Sequence, residues 1–309
     1  MRNALFILVL VAAFTWLFAP HRQVKVQIED VDSVTTVTRH QVVTPSIQPR
    51  QMSASEPVVR KPVEVATTGN SKSQSARPDV DEQKKKKLAL HYVIDEGVAV
   101  VLGDVVIGRP TQDNTPASGM AEVPSMSLWP NGNIPFYIQP SLSNPDRVLA
   151  ALAFFDGTNI HFTPYTNEDN ALVFQESTGV CKSYVGMIGG KQPVWISRGC
   201  GSSEIAHEIL HALGFIHEQN RTDRDSFIEV HFENIDDAYK FNFEKLPIDF
   251  MKVTGLASFN FDSIMLYPVW MFVKGGQFTM ESKVRDQDIR PGTRPSPVDM
   301  ERANRAYAR

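Results

Sequence analysis

The segment HEILHALGFIH, residues 207–217, gathers three histidines and a glutamate into eleven residues. His207 and His211 are four apart, so on a helix their imidazoles stack one turn apart on one face and can grip a single cation. Gly214 stands where a helix commonly ends. A glycine there takes a left-handed backbone without steric cost and turns the chain so that His217 brings back a third nitrogen. Three nitrogens leave one position open, the pattern of a catalytic rather than a structural site, and imidazole donors favour Zn2+, one ion per chain. Glu208 is rotated about 100° around the helix from the first ligand, placed to reach water beside the ion without binding it. The chemistry implied is hydrolysis. Zinc acidifies water, Glu208 takes its proton as it attacks a carbonyl and returns it to the leaving amine, and the metal holds the developing oxyanion.

A helix of this kind needs a domain to position it, and the chain is long enough to supply one. Its 309 residues are 42% hydrophobic and 21% charged, which excludes a wholly disordered, collagenous or multi-span membrane protein. Lys and Arg total 31 against 35 Asp and Glu, so nothing at this level points to nucleic acid. Two cysteines cannot build a four-cysteine zinc site or an iron–sulfur cluster. His21, His40, His91, His161 and His231 stand singly, without ligand spacing.

Three regions precede the domain. Arg2 followed by the uncharged run 4–19 reads as an export signal, either cleaved near Ala19 or kept as a membrane anchor, over residues 1–20. Residues 21–87 are rich in Ser, Thr, Gln, Val and Pro and nearly free of aromatics, the composition of a disordered tether ending in a solvated lysine run at 84–87. Residues 88–124 open with two or three short strand candidates, turning at Glu96-Gly97 and Gly103-Asp104, and continue as a loop from 111 to 125. So small a segment must dock on something larger to bury its apolar faces.

A domain over 125–309 then begins with a strand candidate in LWPNGNIPFYIQP. A helix after Asn144-Pro145-Asp146 follows, then strand candidates in HFTPY, ALVFQES, SYVGMI and PVWIS. The histidine helix runs from about 202 to 213, a loop-rich stretch comes next, and PVDMERANRAYA reads as a terminal helix. No internal repeat is present.

HEILHALGFIHEQNRTDRD, residues 207–225, closely resembles the signature of the astacin family of zinc endopeptidases, and FNFDSIMLYP, residues 259–268, resembles that family's Met-turn. The resemblance implies an α+β, two-lobed metzincin-type protease domain. A twisted sheet and the zinc helix would form its upper lobe, and an irregular lower lobe would carry the Met-turn. It implies His207, His211 and His217 as zinc ligands, Glu208 as the base, and Met265 as the floor beneath the metal. Tyr267 would be a phenol that ligates zinc and swings away to hydrogen-bond the transition state. Leu266 departs from the pattern, since the family usually has His there. Glu218 resembles a residue that contacts, through water, the amino terminus freed when a propeptide is cut; read by itself it is a surface carboxylate. Arg221, Asp223, Arg224 and Asp225 read as a structural charge network.

The resemblance also places a disulfide between Cys181 and Cys200, which in an exported protein would contribute about 3 kcal/mol through loop entropy. VLGDVVIG resembles the stretch ahead of an astacin catalytic domain whose Asp occupies the open zinc position, making Asp104 the latency ligand. Val101 stands where that stretch usually has an aromatic, and a Gly-Asp hairpin turn is the alternative. The chain is thus expected to be an exported monomeric zinc endopeptidase, secreted or periplasmic, or attached to a membrane through residues 4–19. Its partners would be protein or peptide substrates lying as an extra strand across the cleft, and not nucleic acid. A zinc-stabilised binding module without turnover, or a hydrolase of cell-wall peptides, are the alternatives.

Overall fold

The apolar runs between residues 89 and 197 pair into one sheet, and the helices cover one of its faces. The computed structural model describes residues 26–30, 33–37, 89–109, 118–122 and 126–308. The apolar run 4–19 and the lysine run 84–87 lie outside them, and among the described residues no helix is long and apolar enough to cross a membrane. Within the stretch expected as a tether, β1 (Val26–Asp30) pairs antiparallel with β2 (Ser33–Val37) as a hairpin; the rest of 21–87 lies outside the described residues.

The large sheet contains β3 (Ala89–Asp95), β4 (Val98–Val101), β5 (Val105–Gly108), β6 (Ser118–Glu122) and β7 (Asn133–Ile138). It is completed by β8 (His161–Pro164), β9 (Ala171–Ser177), β10 (Lys182–Tyr184) and β11 (Lys191–Ser197). Its order is β6-β3-β4-β5-β10-β11-β9-β7-β8. The strands expected in the small N-terminal segment form as β3, β4 and β5. Its apolar faces are buried by joining the edge of the domain's sheet, where β5 runs parallel to β10. β6 lies in a stretch expected to be loop, because pairing with β3 supplies the partner that its short, polar sequence does not advertise.

Along β7 alternate residues Ile134, Phe136 and Ile138 point inward, where they meet Phe174 and Ile196 of the neighbouring strands and the two upper helices. α1 (Asp146–Leu152) continues as a single 3-10 turn, Ala153–Phe155. α2 (Ser202–Ala212) buries Ile205, Ile209 and Leu210 in the same core. The Cys181–Cys200 disulfide closes the loop that holds β10 and β11, directly before α2. Beyond α2 the lower lobe is built from 3-10 turns, the short pair β12 (Ile228–Val230) and β13 (Met280–Ser282), and α3 (Pro297–Ala306). Leu266, in the place of the family's His, is buried in this lobe's apolar cluster with Phe243, Phe259 and Met280.

The ends of α2 decide where its histidines point. Glu204 accepts from the Gly201 N–H at 2.9 Å, satisfying one donor of the first turn. At the other end Gly214, at φ +97, donates to the His211 carbonyl at 2.8 Å, and Phe215 donates to that of Leu210 at 3.0 Å. These are the two bonds of a Schellman cap. Trp129 Nε1 and the Tyr307 hydroxyl take the next free carbonyls, of Ala212 and Leu213. The cap reverses the chain toward the metal side.

A Cβ on Gly214 would sit at 3.0–3.1 Å from Leu128, Met126 and Val253 in a left-handed conformation. Gly214→Ala should therefore cost about 1–3 kcal/mol in urea unfolding. Glu96, at the β3–β4 turn, is held well below the usual carboxylate range. Burial opposes its ionisation, but bonds from Lys182, Ser177 and Thr178 outweigh that. A carboxylate depressed in the docked state contributes fully above its free value of about 4.3 and loses that contribution as pH falls toward the docked value. Amide-exchange protection factors over residues 89–101 should therefore hold level from about pH 8 to 5 and decline below about 4.5. Glu96→Gln should lower them at neutral pH and shrink the acid decline.

Candidate metal centre

α2 carries His207 and His211 on one face, and the turn after Gly214 returns His217 to face them. The three rings lie with centroids 4.7–5.1 Å apart. His207 Nε2 and His217 Nε2 are 3.1 Å apart. Into the gap between them the turn before β5 inserts Asp104. Its Oδ2 lies 3.4 Å from His207 Nε2, and its Oδ1 lies 3.3 Å from both His211 Nε2 and His217 Nε2. His211 and His217 are fully buried.

The outer nitrogens settle the tautomers. His207 Nδ1 lies 2.8 Å from the Ile264 carbonyl and His211 Nδ1 lies 2.9 Å from that of Phe215. A carbonyl only accepts, so each Nδ1 carries the proton and each Nε2 keeps its lone pair for the centre. His211 Nε2 and Asp104 Oδ1 are buried without any hydrogen-bond partner. Four donors around a tetrahedral ion with bonds of about 2.0–2.1 Å stand about 3.3–3.4 Å from one another. The observed spacing of three imidazoles and a carboxylate fits a zinc-sized ion, and all four donor atoms fall within 4.8 Å.

The charges respond to this confinement. Burial pushes His211 down to about 4. Burial acts against the Asp104 carboxylate, but the adjacent His217, His207 and His211, when protonated, outweigh it and hold Asp104 well below its ordinary range. Glu208 is raised well above its own, first by burial and then by the Asp104 charge, and its Oε2 has no hydrogen-bond partner. Tyr267 is buried with its ring 4.8 Å from that of His217, and its hydroxyl donates to the Leu102 carbonyl at 2.6 Å. The phenol is therefore engaged by the N-terminal segment. Burial, then the Asp104 and Glu208 charges, raise it well above 10.

The turn carrying Tyr267 is anchored from below. Met265 is fully buried and its carbonyl accepts from the Glu218 N–H at 2.9 Å. Ser263 Oγ donates to Asp299 of α3 at 2.7 Å and accepts from the Met265 N–H at 3.0 Å. Glu218 is not a surface carboxylate. It is wholly buried, paired with Arg302, and accepts from the Asn260 N–H at 3.1 Å. Arg221 pairs with Asp223 at 2.8 Å, and Arg224 with Asp225 at 3.0 Å, in the expected charge network. Of the solitary histidines, His91 packs against Phe241 and His231 lies beside Glu233 and Glu281, apart from the centre, while His21 and His40 lie outside the described residues.

Several participants carried no sequence signal, because they are backbone groups or distant partners: the Ile264, Phe215 and Leu102 carbonyls, and Arg302. Lys182 did carry one, a charged residue beside Cys181 at the start of an otherwise uncharged strand.

A family model described as Astacin (Peptidase family M12A) matches residues 122–308. The chain is 33% identical over 187 residues to zinc metalloproteinase nas-14 of Caenorhabditis elegans, a match covering 58% of this chain and 37% of that protein. It is 39% identical over 152 residues to astacin-like metalloprotease toxin 1 of Loxosceles intermedia, covering 48% of this chain and 56% of that one. The chain thus spans less than two thirds of the length of either relative. Among solved structures it is similar to high choriolytic enzyme 1, a hatching enzyme zinc-protease from Oryzias latipes (Medaka fish). That match has a TM-score of 0.53 and 32% identity, covering 59% of this chain and 93% of that one. Since the matched span runs from the end of β6 through α3 and takes in the whole histidine helix and the turn beneath it, this chain belongs to the astacin family.

Proposed function

We propose that the chain is an exported zinc-dependent endopeptidase, held latent by its own N-terminal segment. The observation that carries the reading is the convergence of three imidazole Nε2 atoms, each 3.3–3.4 Å away, on a single carboxylate from outside the span that matches the family. His207, His211 and His217 would hold the ion. A zinc ion there supplies a Lewis acid for the substrate carbonyl and lowers the pKa of water.

Glu208 is the general base. Its buried, unbonded oxygen and raised pKa suit it to take a proton from the attacking water and hand it to the leaving amine. Tyr267 stays protonated and so can donate to an oxyanion once its hydroxyl is released from Leu102. Met265 and Glu218 are structural: they hold the floor of the site and tie the His217 end of the chain to α3. Asp104 would be the latency ligand, its carboxylate lying 3.3–3.4 Å from the three imidazole nitrogens.

The order of parts is an export signal or anchor at 1–20, a tether over 21–87, a latency segment over 88–124 and the peptidase domain over 125–309. The disulfide fits an oxidising compartment, as do relatives whose names describe a toxin and a hatching enzyme. The substrate is a protein or peptide.

After limited proteolysis to remove the segment ahead of residue 122, the zinc-loaded parent should cleave a quenched unfolded-protein substrate. A chelator should stop it and zinc should restore it. Glu208→Gln should retain zinc and lose about 10²–10⁴-fold in rate. A variant that cleaves as the parent does removes Glu208 from the role of base, and a zinc-loaded parent that cleaves nothing turns the reading toward a binding module. In the uncut chain, Gly103→Ala should raise activity. Gly103 has φ +96, and a Cβ there would stand 2.5 Å from the Tyr267 hydroxyl, forcing the segment out of place. Asp104→Ala should do the same by removing the carboxylate. Equal silence of both variants and the parent would mean that something else keeps the chain inactive.

A further inference from the structure

Asn242 lies in the 3-10 stretch Asp237–Phe243 of the lower lobe, only 1% exposed, and its Oδ1 is buried with no hydrogen-bond partner. Burying a polar atom in this way is costly, and the great majority of buried side-chain polar atoms have a partner. The turn Glu218–Asn220, directly after the third histidine, holds the backbone of both Asn242 and Tyr267. Gln219 Oε1 accepts from the Tyr267 N–H at 3.2 Å, and Asn220 Nδ2 donates to the Asn242 carbonyl at 2.9 Å. The two side chains come together at Gly103. A Cβ on that glycine would stand 2.5 Å from the Tyr267 hydroxyl and 3.7 Å from Asn242 Nδ2. Phenol and carboxamide thus border one spot, which the backbone of the N-terminal segment occupies.

We propose that Asn242 is a positioning residue for Tyr267, whose phenol its side-chain amide grips once the segment has left. The inference rests on the endopeptidase reading for the task that the phenol performs. In the uncut chain the hydroxyl donates to the Leu102 carbonyl at 2.6 Å. Departure of the segment removes that acceptor, and with it the glycine that stands against both groups. What remains beside the phenol is a carboxamide, which offers a donor and an acceptor. Nδ2, the atom on the Gly103 side, donates to the phenol oxygen. That bond uses a lone pair and leaves the phenol's own proton free, so the O–H is aimed at the oxyanion as it develops. A hydroxyl that accepts one hydrogen bond is also polarised into a better donor of the next. An acceptor in the same place would instead hold the proton back. Phe243, the residue after Asn242, packs edge-on against the Tyr267 ring with centroids 5.6 Å apart, so the ring is anchored beside the amide.

The test uses the full chain processed ahead of residue 122 and loaded with zinc. Asn242→Leu, close in volume but without polar side-chain atoms, should lower kcat on a quenched unfolded-protein substrate about tenfold, the scale of one hydrogen bond, and leave KM within about twofold. In a Tyr267→Phe chain, which lacks the phenol oxygen, the same substitution should change kcat by less than about twofold. Asn242→Asp keeps the shape and replaces the donor by an acceptor, so it should lose at least as much as Asn242→Leu. A second readout needs no turnover. With the asparagines isotope-labelled, the Asn242 side-chain amide is the NMR signal missing from Asn242→Leu, or from Asn242→Asp where the leucine variant does not fold. Its protons should lie downfield in the processed parent of their place in processed Tyr267→Phe. An equal loss of kcat in both backgrounds, or none in either, overturns the positioning role and leaves the peptidase standing; Asn242→Asp decides in the same way if Asn242→Leu does not fold. A parent that cleaves nothing overturns the peptidase, and the amide signal then decides the contact by itself: displaced by the phenol it supports the grip, unmoved it overturns it.

Discussion

Three imidazole Nε2 atoms, each 3.3–3.4 Å from one carboxylate where water is largely excluded, can stay together only if the surrounding structure makes up for much of the hydration they give up. Two of the imidazoles are held by backbone carbonyls, which orient the rings and leave their inner nitrogens bare. The carbonyl on His211 belongs to Phe215, the second residue of the turn that ends α2. The same Schellman cap that stops the helix therefore aims one ligand and carries the chain round to the next. The lone pairs that remain point at one another, an arrangement that a cation satisfies and that neutral core packing does not.

The lower lobe has little regular structure, and its stiffness comes from a buried polar network. Glu218 follows His217 directly and is paired with Arg302 of α3, while Asp299 one turn earlier holds Ser263 at the start of the Met265 turn. Ser296 caps α3 and accepts from Asn260 at 2.6 Å. The C-terminal helix thus fixes both walls of the cleft, the strand-like segment carrying His217 and the turn carrying Tyr267. A buried pair of this kind adds little net stability over apolar packing, but leaving either member alone is costly, so it enforces one arrangement of the site.

The N-terminal segment uses three kinds of contact to occupy the cleft. It extends the sheet through β5, places Asp104 against the histidines and engages the Tyr267 hydroxyl through the Leu102 carbonyl. Its apolar residues Leu90, Val101 and Val105 pack with Ile216, Leu246 and Met251, so it also covers hydrophobic surface that the catalytic domain would otherwise expose. Gly103 is required at the tightest point, where the chain passes the phenol in a left-handed conformation. Sheet formation and the placing of Asp104 against the histidines are therefore one docking event.

The histidine spacing, the helix-ending glycine, the Met-turn string and the alternating strands were legible in the residues themselves, because helix and strand periods and cap chemistry act over a few neighbours. The sequence alone therefore determined a candidate metal-ligand set and the α+β class, and its resemblance to a known family singled out the carboxylate at Asp104. It left open whether that aspartate was a plain turn, and Glu218 read as readily as a surface group. Those questions belonged to the tertiary structure. Only the docking of β5 on β10 carries Asp104 to the histidines, and only α3, some eighty residues on, supplies the arginine that takes Glu218 out of solvent. The bonds that hold Glu96 were hidden for the same reason, since the lysine that donates to it is 86 residues away. What a side chain is near is decided by long-range packing, and no local period encodes it.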